Sequence, residues 1–202
     1  MHIQDLLQHH PIISEQVSAD QLRVILQELE KTLYEGVAGD IVEFGCYIGT
    51  TSLFIRRLLD IHHETRAFHV YDSFEGLPEK SAKDSSGAGE QFKAGELSVS
   101  KKQFLREFQK AKLRSPVIHK RWFSELASED VSEKIAFAFL DGDFYESIKD
   151  SLKLVLPRIS KGGTIIVDDY AREALPGAEK AVKELLPHTD VQTAHNLGII
   201  HL

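Results

Sequence analysis

Two short apolar runs end abruptly in carboxylates: Ala136-Phe-Ala-Phe-Leu-Asp141-Gly-Asp143 and Thr164-Ile-Ile-Val-Asp168-Asp169. Both have strand character, and neighbouring strands of an open parallel α/β sheet deliver their C-terminal ends to one rim, where ligands bind. Side by side, the two runs gather Asp141, Asp168 and Asp169 at one point. Carboxylates so placed repel one another unless protons or a cation intervene, and hard cations such as Mg²⁺ prefer oxygen ligands. The pattern points to metal-assisted chemistry. Asp143 rivals Asp141 as ligand or base, because residues two apart share a face if the extended chain continues. The bland alternative is Asp168-Asp169 capping a turn, which leaves the second acidic strand end unexplained.

A second group of residues lies at the turn Glu43-Phe44-Gly45-Cys-Tyr47-Ile-Gly49-Thr50-Thr-Ser52. A dinucleotide-binding turn needs glycine where this chain has Tyr47 and Thr50, so pyrophosphate would meet side chains instead of bare backbone. S-adenosylmethionine carries no pyrophosphate and relaxes that demand. Glu43 and the loop backbone can face its methionine portion, with Gly45 and Gly49 allowing close approach. Asp72, ending the next strand, is placed to accept hydrogen bonds from ribose hydroxyls. The competing reading is a glycine turn with no ligand and an exposed aspartate.

These residues need a scaffold, and the sequence supplies an alternation. Ser18-Ala-Asp-Gln21 has capping-box spacing, with Leu22, Ile25, Leu26, Leu29 and Leu33 at helical intervals, so a helix is expected over about 18–36. Strands are expected at 40–44, 66–72, 116–120, 135–141 and 164–168, and helices from about 50, over 101–113, over 124–131, over 145–159 and over 177–186. Gly162 and Gly163 are expected to end the 145–159 helix. The runs 191–195 and 199–202 suggest a hairpin, antiparallel because so short a connection permits nothing else. The expectation is a doubly wound, mostly parallel seven-stranded α/β sheet closed by an antiparallel C-terminal hairpin, an arrangement found among methyltransferases. Residues 75–100, with Gly76, Pro78, Gly87, Gly89 and Gly95 among Ser, Lys and Glu, sustain no period and read as a functional lid or a disordered connection. Its Lys80, Lys83, Lys93, Lys101 and Lys102 read as solvated.

The chain has 202 residues, 42% hydrophobic, with a net charge of −7. That supports one well-buried core, and the acidic balance argues against a nucleic-acid footprint. A lone Cys46 excludes an intrachain disulfide and suits a reducing compartment. Neither a membrane span nor a secretory signal is visible, making a cytoplasmic enzyme the default. The adjacent pairs His9-His10 and His62-His63 lack a third-ligand spacing for zinc. His69 and His119 read as packing residues within strands, and His195 has a weak claim to an acceptor site.

The motif carried by Glu43, Gly45, Tyr47, Gly49 and Ser52 is similar to the cofactor motif of catechol-type O-methyltransferases. Val42-Glu-Phe-Gly, Tyr71-Asp-Ser-Phe-Glu-Gly-Leu-Pro78, Leu140-Asp-Gly-Asp-Phe-Tyr-Glu-Ser147, Pro157-Arg, Gly162-Gly through Asp168-Asp-Tyr170 and Pro176-Gly closely resemble the macrocin O-methyltransferase family, in order, over about 40–187. The resemblance implies a class I methyltransferase fold, S-adenosylmethionine and Mg²⁺ as cofactors, and a sugar or diol-bearing small molecule as hydroxyl acceptor. It also implies metal ligation by Asp141, Asp168 and Asp169, with Asp141 as candidate base. Cofactor contacts would come from Glu43, Phe44, Gly45, Tyr47, Gly49, Thr50, Ser52, Asp72, Ser73 and Asp141. Arg121-Trp122-Phe123-Ser124 matches the family's glycine-tryptophan-phenylalanine stretch with Arg121 in place of glycine, and Trp122 and Phe123 would flank adenine or belong to the core. On this reading residues 40–202 form one methyltransferase domain behind a helical segment, 1–39, whose helix is a candidate homodimer contact. A metal-dependent hydrolase and a non-catalytic cofactor-binding relative are the competing classes.

Overall fold

The computed structural model describes residues 2–88 and 92–202, so the centre of the expected lid, including Gly89, lies outside the described residues. Within them are the strands β1 (Asp40–Phe44), β2 (Phe68–Asp72), β3 (Val117–Lys120), β4 (Ile135–Leu140), β5 (Ile159–Val167), β6 (Gln192–Ala194) and β7 (Leu197–His201). They form one sheet in the order β3-β2-β1-β4-β5-β7-β6. Pairing is parallel from β3 to β5, and β7 runs antiparallel to both β5 and β6. The helices are α1 (His2–His9), α2 (Ala19–Tyr34), α3 (Thr50–Ile61), α4 (Lys101–Ala111), α5 (Tyr145–Val155) and α6 (Gly177–Leu185).

The strands bury both faces because alternate side chains feed two separate cores. Ile41, Val70, Phe139 and Ile166 pack with the apolar faces of α1, α2, α3 and α4. Their neighbours Val42, Tyr71, Leu140 and Val167 pack with α5 and α6 on the opposite side. All six residues of β4 are buried, and each large apolar side chain so buried contributes about 1.5–3 kcal/mol. A charge at Phe139 would break this centre. The alternation slips at Ala136–Phe137, where the β4–β5 register also shifts.

Local signals set most element ends. Gln21 N donates to Ser18 Oγ at 3.2 Å and Ser18 N to Gln21 Oε1 at 2.9 Å, the reciprocal box that starts α2. The hairpin turns on His195 and Asn196, at φ 50° and 69°, the positive pair that matches strand twist in a two-residue turn.

Two expectations need correction. The helix expected over 124–131 is instead a pair of single 3₁₀ turns, Phe123–Glu125 and Ser128–Asp130. Leu126 and Val131 are both buried, and residues five apart stand about 140° apart on an α-helix. The helix expected over 145–159 stops at Val155, before Pro157, and Ile159 already opens β5. Gly162 and Gly163 therefore lie inside a strand: Ile159 pairs with Ile135 and Thr164 with Phe137, with Gly162 at φ 80° in the bulge between them.

Candidate active site

The chain runs outward from β1 to β3 on one side and from β4 to β5 on the other, which opens a crevice at the C-terminal ends of β1 and β4. The ladder continues one bond beyond each strand. Arg121 N donates to Asp72 O at 3.0 Å, Gly45 N to Tyr71 O at 2.9 Å, Asp141 N to Phe44 O at 2.8 Å and Asp168 N to Leu140 O at 2.8 Å. These bonds fix Asp72, Gly45, Asp141 and Asp168 in a row along the rim, and all four line one cleft.

The glycine turn is built for close approach. Gly45 has φ 87°, and a β-carbon there would strike the carbonyl of Asp141. Gly49 has φ 97° and would meet the Phe104 ring at 2.8 Å. Tyr47 holds φ 47° without being glycine, a conformation that clusters at functional sites. Asp72 Oδ2 accepts from Cys46 N at 2.8 Å and Oδ1 from Phe74 N at 2.6 Å, and each oxygen keeps a further lone pair for a ligand.

Of the expected cofactor residues, Gly45, Tyr47, Asp72, Ser73, Trp122, Phe123 and Asp141 line the cleft. Glu43, Phe44, Gly49, Thr50 and Ser52 stand behind it. Phe44 stacks on Tyr71 at 4.4 Å and meets Phe123 edge-on at 5.3 Å, while Thr50 Oγ1 bonds Ser14 Oγ at 3.0 Å. Glu43 is buried, accepts from Ser52 Oγ at 2.5 Å, and is pushed up to about 8 by burial against that bond. Burial likewise raises the Cys46 thiol, which fits a packing role. His195 sits in the hairpin turn and does not line the cleft.

Asp141, Asp143, Asp168 and Asp169 share the other wall. Asp143 and Asp169 adopt φ 58° and 52°, so the chain after β4 leaves the extended conformation and the face-sharing argument for Asp141 and Asp143 lapses. Both still reach the cleft through different loop geometry. Burial, then the neighbouring carboxylates, raises Asp141 well above the ordinary range and Asp143 to about 8. Asp168 rises to about 7 through burial and Asp169, and Asp169 rises through burial, opposed by Arg172. Arg172 Nη1 donates to both Asp169 oxygens at 3.0 and 3.1 Å. Asp168 Oδ1 accepts from Asp169 N at 2.9 Å and from Gln21 Nε2 at 3.2 Å.

The donor set is all oxygen and short of positive charge, which is the chemistry a hard divalent cation suits. Its geometry is less complete. Among the described residues, no three Asp, Glu, His or Cys side chains converge as a metal-holding group. Asp169 is engaged by Arg172 and Asp168 by Gln21.

Several cleft or near-cleft residues escaped the sequence reading. Arg172 follows Asp169 by three, a spacing that hinted at a pair, whereas Gln16 lines the cleft with no sequence signal. Lys83, read as solvated, is exposed as expected and lies outside the cleft, and its ammonium donates to Tyr145 Oη at 2.5 Å and to Glu184 at 2.7 Å.

The sequence model of the family described as Macrocin-O-methyltransferase (TylF) matches residues 10–196. The chain belongs to the macrocin O-methyltransferase family. It is similar to the 8-demethyl-8-(2,3-dimethoxy-alpha-L-rhamnosyl)-tetracenomycin-C 4'-O-methyltransferase of Streptomyces olivaceus, 37% identical over 153 residues, which are 72% of this chain and 58% of that one. It is also similar to the demethyldecarbamoylnovobiocin O-methyltransferase of Streptomyces niveus, 30% identical over 87% of this chain and 68% of that one. The chain therefore spans less than two thirds of the first relative's length. The solved structure of the O-methyltransferase NovP superposes with a TM-score of 0.80 at 27% identity, covering 92% of this chain and 80% of that chain. The macrocin family member thus has the class I methyltransferase fold, with seven strands and the antiparallel C-terminal pair expected. No helix among its described residues is long and apolar enough to cross a membrane.

Proposed function

We propose that this chain catalyses S-adenosylmethionine- and Mg²⁺-dependent methylation of a hydroxyl on a sugar or another diol-bearing small molecule. The carrying observation is the juxtaposition of four carboxylates, Asp168 and Asp169 buried and Asp141 and Asp143 half-buried, and one guanidinium with a glycine turn on the same rim. Such a cleft favours cationic occupants, a sulfonium and a divalent ion among them. Residues 40–202 would form the methyltransferase unit, with 75–100 as its lid, behind the helical segment 1–39.

S-adenosylmethionine would supply the methyl group from its sulfonium. Gly45 would let the loop backbone approach it, Asp72 would accept from the ribose hydroxyls on its remaining lone pairs, and Trp122 and Phe123 would wall the adenine. Asp141, Asp168 and Asp169 would hold Mg²⁺, whose Lewis acidity would lower the pKa of an acceptor hydroxyl. A carboxylate beside that hydroxyl would then take its proton as the carbon–oxygen bond forms and the carbon–sulfur bond breaks. Asp141 is the candidate, with Asp143 as the rival that its placement in the cleft sustains. The walls' main contribution is to hold acceptor and donor in line.

The test is methyl transfer from labelled donor to a panel of glycosides and vicinal diols. Label should appear in product only with divalent cation present. Asp168→Ala should lower turnover on the order of 100-fold or more while S-adenosylhomocysteine still raises its melting temperature. Undiminished turnover by Asp168→Ala in chelator would remove the metal from the reading.

A further inference from the structure

Gln21 lies 147 positions from Asp168 in sequence, on the first turn of α2, yet its amide nitrogen donates to Asp168 Oδ1 at 3.2 Å. Its other end is occupied: Gln21 Oε1 accepts from Ser18 N at 2.9 Å and from Ser18 Oγ at 2.9 Å. A backbone N–H cannot accept, so the end of the amide that faces Ser18 N is its oxygen and the end that faces Asp168 is its nitrogen. The capping box thereby does two things. It starts a helix, and it aims an N–H donor at a carboxylate on the far side of the chain. Asp168 Oδ1 takes a second N–H from Asp169, which leaves Oδ2 as the oxygen turned to other uses.

We propose that Gln21 is a positioning residue for the cation site: by binding Oδ1 of Asp168 it presents Oδ2 to the metal. This rests on the reading of Asp168 as a ligand. Outer partners of metal ligands fix ligand orientation, and their loss typically weakens metal binding about 10–100-fold. The helix-starting and carboxylate-holding roles separate cleanly. Ser18→Ala removes the hydroxyl half of the box but keeps Ser18 N to orient the Gln21 amide. Gln21→Met keeps the length and helix propensity of the side chain but removes both its acceptor and its donor.

The experiment is calorimetric titration of the full chain with Mg²⁺ alone, alongside thermal melting in chelator. Gln21→Met should bind Mg²⁺ about tenfold or more weakly. Ser18→Ala should show a comparable fall in melting temperature but wild-type Mg²⁺ affinity. Wild-type affinity in Gln21→Met overturns the inference, as does an equal loss in both variants, which would make the effect one of helix stability. An Asp168→Asn variant is the third arm. If it binds Mg²⁺ like the wild type, the ligand reading falls and the inference falls with it, whereas a failure confined to Gln21→Met leaves the ligand reading standing.

Discussion

The Cα of Gly45 lies so close to the carbonyl oxygen of Asp141 that no side chain fits between them. The contact joins the glycine turn to the acidic loop at the point where the sheet reverses its winding. Any residue larger than hydrogen would push one wall of the cleft away from the other.

Gly45→Ala should therefore damage both walls. The positive φ alone costs about 1–3 kcal/mol, and the backbone collision adds to it because neither partner is a flexible side-chain tip. Urea unfolding should show the loss, and calorimetry should show weakened binding of S-adenosylhomocysteine. Binding and stability both at wild-type levels would refute the contact.

Glu43 gives a pH signature. Its carboxyl is raised to about 8 in the folded chain, chiefly by burial, whereas an unfolded glutamate titrates near 4.5. Between those values the native state holds a proton that the unfolded state has released. Stability from this group is thus present at low pH and falls as pH rises toward about 8, by at most about 1.4 kcal/mol per pH unit. Asp141, Asp143 and Asp168 act in the same sense, so the informative quantity is a difference between variants. Glu43→Gln keeps the oxygen that accepts from Ser52 and should flatten the stability–pH curve measured in chelator from about pH 5 to about pH 8. Parallel curves for the two proteins would show that Glu43 is ionised when folded.

Asp84 fastens the segment over 76–86 to the start of α5. It is buried, its Oδ1 accepts from Tyr145 N at 2.7 Å at the start of α5, and its Oδ2 accepts from Ser81 N at 2.9 Å. The Phe144 cap offers α5 no side-chain acceptor of its own, so a residue 61 positions away does that work. Asp84→Ala leaves a buried N–H unpaired and should cost about 1–3 kcal/mol, with faster hydrogen exchange over residues 76–86. Asp84→Asn retains an acceptor and should lose less. Equal stability of Asp84→Ala and the wild type would dismiss the docking role.

Much of the site was legible because its residues sit at strand ends. Asp72, Asp141, Asp168 and Asp169 each follow an apolar run, and period and burial follow from such runs with little tertiary input. The turn around Gly45 and Gly49 was legible for a related reason: positive φ and close approach leave a residue-type signature. Less legible were elements whose length depends on neighbours. The 124–131 segment carries helix-compatible residues, but Leu126 and Val131 must both enter the core. Gly162 and Gly163 look like a helix stop, yet they form a bulge demanded by pairing with β4.

Sequence by itself therefore determined the sheet's strands, its antiparallel closing hairpin and the acids at its rim, because alternation and turn chemistry are local properties of the chain. Tertiary structure alone decided that Glu43 stands behind the cleft, and that Gln21 and Asp84 reach across the fold to Asp168 and α5. A hydrogen bond between residues 61 or 147 positions apart depends on where the folded backbone brings them, and no spacing in the chain records that distance.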